Sequence, residues 1–232
     1  MSHAPEGDGA QRAWESFVSE RDLFISVYGL SYGNEPETRK AVIREGMKGY
    51  VEYYIQSLQL KPDDVVMDFG SGVGIMADLL APKVRKIYAV DVSKNHLSYI
   101  LANVDNLDKI EPVHIAYSAI EDIPGVTKIY AANVLIHFNI FDLVIHIEKF
   151  AKLLPPRGRV VFNICDYDHL MLQEQPMFQD FLAAYRQSLS SSWLVHWHSA
   201  KAVLRIADGF GFDGEIGLTL EQGNTHLSLV KR

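Results

Sequence analysis

The chain has 232 residues, of which 48% are hydrophobic and 22% charged, a balance typical of a globular protein with a substantial core. Its 22 basic and 29 acidic residues give a formal charge of -7, and no dense run of Lys or Arg forms a phosphate-binding stripe, so a nucleic-acid partner is not expected. The single cysteine cannot form an internal disulfide, and no cluster of Cys or His has metal-site spacing, so we expect no metal and a reducing cytoplasm.

The N-terminal part of the chain is expected to be a flexible tail followed by helices. The first ten residues lack the basic and apolar regions of a signal peptide, and no apolar stretch has transmembrane length, so no membrane partner is expected. Trp14, Phe17 and Val18 indicate a short helix. The strongest amphipathic helix is predicted where apolar residues recur at helical spacing over four turns; they are Ile43, Met47, Tyr50, Val51, Tyr54, Ile55 and Leu58.

A glycine-rich turn follows the first predicted strand. Residues 65–69 form an apolar strand that contains Asp68, and the next glycines are spaced Gly-x-Gly-x-Gly, at Gly70, Gly72 and Gly74. Glycine lets a backbone turn sharply and approach a ligand closely. A dinucleotide-binding turn has Gly-x-Gly-x-x-Gly spacing, and an acid beside it would oppose the pyrophosphate. Asp68 instead favours a cofactor that carries a positive group.

A second acid ends the next predicted strand. Residues 87–90 read as a short buried strand, and Asp91 follows Gly74 by 17 residues, which leaves room for one helix. A carboxylate at this position can accept hydrogen bonds from both hydroxyls of a ribose. The alternative is that Asp91 caps the helix that begins near Ser93 or Lys94.

The glycine turn, with Asp68 before it and the strand ending at Asp91 after it, resembles the class I S-adenosylmethionine-dependent methyltransferases. The resemblance covers roughly residues 37–232. It implies S-adenosyl-L-methionine as the cofactor, whose sulfonium and amino groups suit Asp68. It also implies a first set of cofactor-binding residues, namely Asp68, Gly70, Ser71, Gly72, Gly74, Asp91 and Val92.

The rest of the chain fits an α/β fold. Strands are predicted near 113–116, 129–133 and 159–164, with a helix before the last of these. Ser199 is expected to cap a helix ending at Gly209, and residues 212–220 and 225–230 to form an antiparallel pair. We therefore expect a Rossmann-like, doubly wound, seven-stranded sheet, mostly parallel with a C-terminal antiparallel hairpin, and helices on both faces.

A single methyltransferase domain over residues 1–232 is expected. Its parts would be an N-terminal helical cap at 1–60, a cofactor-binding core at 61–165, a substrate or lid insert at 166–198, and a C-terminal helix and hairpin at 199–232. The insert carries an amphipathic aromatic stripe, which suits closure over a sulfonium centre but equally suits an extra packed helix. Nothing in the sequence fixes the oligomeric state.

Two weaker motifs extend the resemblance. The loop at 117–124 looks like the adenine-binding loop of related enzymes, which makes Ser118, Ala119 and Ile120 candidates, although Ala119 stands where many relatives carry Asp. An ordinary polar turn is the alternative. Asn133 lies at the carboxyl end of the fourth predicted strand, the edge where ligands gather in open α/β sheets, although Thr127 stands where relatives often begin this strand with Asp.

Two residues are candidates for a catalytic base. His137 lies in an apolar segment after the fourth strand and Asp166 follows the fifth, and each could equally be a packed core residue. The expected reaction is direct in-line displacement of the activated methyl group by an O or N atom of a small-molecule acceptor. The alternatives are an NAD(P)-dependent oxidoreductase with a Rossmann core, or a noncatalytic S-adenosylmethionine-binding partner protein.

Overall fold

The computed structural model describes residues 14–16, 19, 23, 36–115, 120, 123–171, 195–220 and 223–232. The chain divides into two compact units, Met1–Lys128 and Ile129–Arg232. In the region of the expected first helix, Trp14 and Glu15 are helical, whereas Phe17 and Val18 lie outside the described residues. Most of the expected insert, residues 172–194, also lies outside them. The division of a single domain into cap, core, insert and hairpin stays a prediction.

Two helices replace the single long helix that the apolar period predicts. Helix α1 spans Pro36–Gly46 and helix α2 spans Lys48–Leu58, with Met47 in a turn between them. Gly46 and Gly49 flank that turn, and glycine is the least favourable ordinary residue within a helix. The apolar stripe is retained across the break, and the buried residues of α2 are Val51, Tyr54 and Leu58.

Three parallel strands form the centre of the first unit. Strand β1 is Val65–Phe69, β2 is Lys86–Asp91 and β3 is Ile110–His114, in the order β3-β2-β1. All five residues of β1 are buried, as expected for a strand of a parallel sheet that is covered on both faces. The third strand thus begins three residues earlier than the sequence suggests, because the apolar Ile110 pairs with Ile87 of β2.

The connections in the first unit carry short helices. After β1 the chain forms α3, Ile75–Leu80, and one turn of 3₁₀ helix, Ala81–Lys83. After β2 it forms α4, Lys94–Asn103. Ser93 is the N-cap of α4, and its hydroxyl accepts a hydrogen bond from the backbone N–H of His96 at 3.3 Å.

A buried carboxylate joins the helices of this unit. Asp78 of α3 is 1% exposed, and its Oδ1 accepts hydrogen bonds from the backbone N–H groups of Asp105 at 3.0 Å and Asn106 at 2.9 Å. Arg44 of α1 donates to Oδ2 of the same carboxylate. Burial opposes the ionisation of Asp78, but the hydrogen bonds from Arg44 and Asn106 outweigh it and lower the pKa of the carboxyl below its usual value.

The second unit contains a mixed set of strands and helices. Its elements are β4 (Lys128–Ala131, beginning at the last residue of the first unit), a 3₁₀ turn (Leu135–His137), α5 (Ile140–Leu153), β5 (Arg159–Asp166), α6 (Tyr167–Met171), β6 (Trp197–His198), α7 (Ala200–Gly209), β7 (Phe212–Thr219) and β8 (Asn224–Lys231).

The expected antiparallel finish is confirmed. In the second unit the strands lie in the order β4-β5-β8-β7, β8 is antiparallel to both β5 and β7, and the two-residue β6 pairs with β5 in parallel. Ser199 caps α7 as expected, since its hydroxyl accepts from the N–H of Ala202 at 3.2 Å. The α/β fold class is therefore correct, with eight strands among the described residues where seven were expected. The additional strand is β6.

Within the part of the chain that the structure describes, no helix is both long and apolar enough to cross a bilayer.

Candidate functional site

The glycine turn after β1 has the backbone that its spacing predicts. Gly70, Gly72 and Gly74 all have positive φ angles, of 78°, 51° and 76°. Residues with a side chain rarely adopt these angles. A Cβ on Gly74 would also lie 2.7 Å from Cγ1 of Ile100 in α4, so close packing of the helix against the turn requires glycine here.

Hydrogen bonds fix this turn against the end of β2. The N–H of Gly70 donates to the carbonyl of Val90 at 2.8 Å, and the N–H of Ser71 donates to the same carbonyl at 3.0 Å. The N–H of Gly74 donates to the carbonyl of Ser71 at 3.0 Å. The turn is thus held open as a cradle beside the carboxyl ends of two parallel strands, where ligands bind in α/β sheets.

Asp91 connects the two predicted motifs directly. Its Oδ2 accepts a hydrogen bond from the N–H of Gly72 at 2.8 Å, and its Oδ1 accepts one from the N–H of Ser93 at 2.8 Å. Ser93, rather than Asp91, is the N-cap of α4. Each carboxylate oxygen has a second lone pair, so Asp91 retains the capacity to accept the two hydroxyls of a ribose.

Two further groups at the turn suit a polar ligand. The hydroxyl of Ser71 is buried, and no described residue forms a hydrogen bond with it. Asp68 in β1 is 2% exposed, and its carboxyl lies just before the glycines in the sequence.

Burial raises the pKa of Tyr54 in α2 well above its ordinary value, and the neighbours Tyr53, Tyr50 and Asp68 add to the effect. The phenol of Tyr54 therefore stays neutral.

The remaining predicted contacts of the first unit are placed as follows. Val92 is half-buried, and its carbonyl lies 3.1 Å from Nε2 of His114 at the end of β3. Ile120 is half-buried. Ser118 and Ala119 lie outside the described residues, so their assignment to the adenine loop stays a prediction.

In the second unit, Asn133 follows β4 and belongs to a network of three asparagines. Its φ angle is 58°, in the left-handed region that Asn tolerates better than most residues. Its backbone N–H donates to Oδ1 of Asn163 at 2.7 Å, and its own Oδ1 accepts from Nδ2 of Asn163 at 2.7 Å. Nδ2 of Asn163 also donates to Oδ1 of Asn224 at 2.9 Å.

Asp166 is buried among backbone donors. It is 4% exposed, and its Oδ1 accepts from the N–H groups of Asp168 and Ala200, each at 3.1 Å. Its Oδ2 lies 3.4 Å from the hydroxyl of Thr225, which donates to it. These contacts are those of a carboxylate that holds the starts of α6 and α7 in place. A catalytic role for Asp166 stays a prediction.

The histidines after β4 differ in their surroundings. His137 is half-buried at the end of the 3₁₀ turn. His198 of β6 is 5% exposed, and its Nε2 donates to the carbonyl of Phe138 at 2.9 Å. Burial lowers the pKa of His198, the hydrogen bond to Phe138 opposes this, and His196 adds to the lowering. His198 is therefore a poor candidate for accepting a proton near neutral pH.

Cys165 at the end of β5 is not a suitable nucleophile. Burial raises the pKa of its thiol to about 12, so the thiolate is not populated near neutral pH.

Sequence reasoning missed Asn163 and Asn224. The available signal was a polar side chain inside the apolar run of β5, since Asn163 lies between Phe162 and Ile164 and is 1% exposed. A buried amide needs hydrogen-bond partners, which points to a network. Those partners lie 30 and 61 residues away, so local pattern could not have identified them.

A family comparison places these features in a known class. Residues 43–215, more than half of the chain, match the model of a family described as "Methyltransferase domain". The chain belongs to this family and is a class I S-adenosylmethionine-dependent methyltransferase, with S-adenosyl-L-methionine as its cofactor. The expectation drawn from the glycine turn and Asp91 is confirmed at this level.

Individual relatives are distant. A probable ribosomal RNA small subunit methyltransferase A of Methanosarcina acetivorans is 26% identical over 124 residues, which cover 48% of this chain and 45% of the relative. The chain thus matches less than half the length of this curated relative.

Solved structures share the fold over most of their length. The magnesium protoporphyrin IX methyltransferase of Synechocystis PCC 6803, with bound SAH, has a TM-score of 0.67 at 16% identity and covers 97% of this chain and 99% of that one. The geranyl diphosphate C-methyltransferase of Streptomyces coelicolor A3(2) has a TM-score of 0.66 at 13% identity, with 99% and 98% covered.

Proposed function

We propose that this methyltransferase transfers the methyl group to an O or N atom of a small-molecule acceptor by direct in-line displacement. The single observation that supports the cofactor half of the proposal is the hydrogen bond from Gly72 N–H to Asp91 Oδ2. This bond connects the glycine turn, whose backbone can approach a ligand closely, with the carboxylate that can bind the hydroxyls of a ribose.

The residues of the first unit fit S-adenosylmethionine. The three glycines provide a cradle without side chains, Ser71 provides a buried hydroxyl, and Asp91 provides acceptor capacity for a ribose. Asp68 supplies a carboxyl that favours a positive group and disfavours a pyrophosphate. When bound, the cofactor supplies an activated methyl group on sulfur.

The chain's own contribution to chemistry is positioning and, for a weakly acidic acceptor, a base. We assign the candidate base to His137, whose ring is half-buried, and a positioning role to Asp166, whose carboxylate already accepts hydrogen bonds from two backbone N–H groups. Holding the reacting atoms in line and excluding water supplies much of the acceleration of such a transfer. A phenol or amine acceptor would need little help from a base.

The acceptor class is proposed from charge. The formal charge of -7 disfavours a polyanionic acceptor such as RNA. The similarity to an RNA methyltransferase of Methanosarcina acetivorans covers 48% of the chain and makes RNA the acceptor to be tested against small molecules. A cytoplasmic location, expected from cysteine usage, is part of the same proposal.

Calorimetric titration tests the cofactor site. We expect the wild-type chain to bind S-adenosylmethionine and not NADH. Gly72→Val should weaken binding at least about tenfold because it adds a branched side chain at a φ angle of 51°, and Asp91→Ala should do so because it removes the proposed acceptor for the ribose hydroxyls. Asn103→Asp, an exposed change on α4, is the matched control and should bind like the wild type. Unchanged affinity in both site variants would refute the assignment of the site.

Label transfer tests the acceptor. The chain is incubated with methyl-labelled S-adenosylmethionine and, separately, a metabolite extract or ribosomal RNA. Label in low-molecular-weight products supports the proposal, whereas label confined to RNA refutes the small-molecule assignment. Tight cofactor binding with no transfer in either mixture favours a noncatalytic role.

A further inference from the structure

The hydrogen bonds among three asparagines determine which way each side-chain amide points. A backbone N–H only donates, so the atom of Asn163 that lies 2.7 Å from the N–H of Asn133 must be the oxygen. The other terminal atom of Asn163 is therefore the nitrogen. That nitrogen donates to one side-chain atom of Asn133 at 2.7 Å and one of Asn224 at 2.9 Å, and both of these atoms must be oxygens.

The orientation of Asn133 follows without further assumption. Its Oδ1 faces Asn163, so its NH₂ group lies on the side away from Asn163. Asn133 is exposed, whereas Asn163 is 1% exposed. Asn163 also accepts a hydrogen bond from the backbone N–H of Asn133. The φ angle of Asn133, 58°, lies in the left-handed region, just after the end of β4. Both the backbone and the amide of Asn133 are thus set by one buried side chain.

We infer that Asn163 is a positioning residue that makes Asn133 a hydrogen-bond donor to an oxygen of the bound ligand. Asn133 then favours a carboxylate or carbonyl oxygen of the ligand, because its NH₂ group, which only donates, is the group that faces away from Asn163. The inference rests on the proposed function. Two sources supply such an oxygen, the methionine carboxylate of S-adenosylmethionine and the methyl acceptor.

Asn133→Asp is the central variant. Aspartate keeps one oxygen for Asn163 and replaces the outward NH₂ with a second oxygen, at an exposed position where the fold is little affected. Asn163→Asp is the complementary variant: the N–H of Asn133 still has an acceptor, but the lost NH₂ forces Asn133 to rotate and present its oxygen outward. Asn103→Asp makes the same chemical change on an exposed part of α4 and serves as the control.

Calorimetry with two probes identifies the source. If the ligand oxygen is the methionine carboxylate, Asn133→Asp and Asn163→Asp should each lower the affinity for S-adenosylmethionine at least about tenfold. The affinity for 5′-methylthioadenosine, which lacks the amino acid part, should stay unchanged. Equal weakening of both probes would indicate general damage and overturn the inference. If S-adenosylmethionine binding is unchanged, the acceptor is the source, and label transfer to the metabolite extract falls at least about tenfold. Unchanged affinity together with unchanged or undetectable transfer overturns the inference.

Side-chain exchange tests the orientation independently of any ligand. In NMR spectra of the chain with ¹⁵N-labelled asparagine, the NH₂ protons of Asn163 should exchange slowly with solvent in the wild type, and those of Asn133 should exchange quickly. In Asn163→Asp the NH₂ protons of Asn133 should become protected, because they turn toward the new carboxylate. Protected Asn133 protons in the wild type overturn the inference. A wild-type chain that binds no S-adenosylmethionine refutes the proposed function instead, and the exchange rates still test the orientation.

Discussion

Two buried histidines are expected to make the second unit sensitive to acid. His146 of α5 is 2% exposed and His226 of β8 is 1% exposed. Burial lowers the pKa of each from 6.5 to about 4; at His146 the hydrogen bond to the carbonyl of Asp142 opposes the shift and Lys149 adds to it. Both rings are neutral in the folded chain at the pH where the unfolded chain protonates them.

The sign and size of the effect follow from these pKa values. Because the unfolded state binds more protons between pH 6.5 and about 4, the free energy of unfolding falls as the pH falls through that window. A pKa difference between 6.5 in the unfolded chain and about 4 in the folded chain lowers the free energy of unfolding by at most roughly 3 kcal/mol per histidine, since one pKa unit is about 1.4 kcal/mol. Between about pH 7.5 and about pH 5 each histidine costs about 2 kcal/mol, so the pair costs about 4 kcal/mol.

Urea unfolding across this range measures the effect. The wild type should lose about 4 kcal/mol of unfolding free energy, and His226→Leu or His146→Leu should each reduce the slope by about 1 kcal/mol per pH unit. The slope is the readout because a packing change at either site alters stability at every pH alike. His114→Gln is the control, since that ring is 33% exposed. Identical slopes in the wild type and both leucine variants would refute the reasoning.

Two further stability predictions concern the first unit. Gly74→Ala should lower the unfolding free energy by about 2–4 kcal/mol, because φ is positive and the new Cβ meets Ile100; Gly209→Ala, which has open space, should change it by less than about 0.5 kcal/mol. Asp78→Asn should cost about 2–3 kcal/mol at neutral pH by removing the charge paired with Arg44, measured by urea unfolding. That difference should shrink below about pH 4, since the lowered pKa of Asp78 stabilises the fold only while its carboxyl is ionised. Equal losses at both pH values would contradict the ion-pair explanation.

Much of the proposed cofactor site could be predicted from the sequence because it depends on the conformation of neighbouring residues. The positive φ angles of Gly70, Gly72 and Gly74 are available mainly to glycine, so the sequence records them directly. Ser93 and Ser199 cap their helices through bonds to residues three positions away, which is within the reach of a sequence pattern. The break near Met47 was missed because the apolar period continues through it.

The asparagine network could not be predicted because its members are brought together only by the fold. Asn163 meets Asn133 and Asn224 through strand order and register, and β5 pairs with β8 so that Cys165 lies opposite Asn224. No spacing along the chain encodes that register. Asp166 shows the same limit: its hydrogen bonds from the N–H groups of Asp168 and Ala200 depend on the fold, and its role as a base stays a prediction.

This difference explains why the methyl donor is easier to identify than the acceptor. The proposed donor site consists of a backbone conformation, which glycine spacing specifies, and a carboxylate bonded to the turn itself. Side chains outside the glycine motif take their orientation from partners distant in sequence, as Asn133 takes its orientation from Asn163. Under the proposal that Asn163 positions Asn133, a substitution at Asn163, which is 1% exposed, would alter ligand binding while leaving every residue of the glycine motif in place.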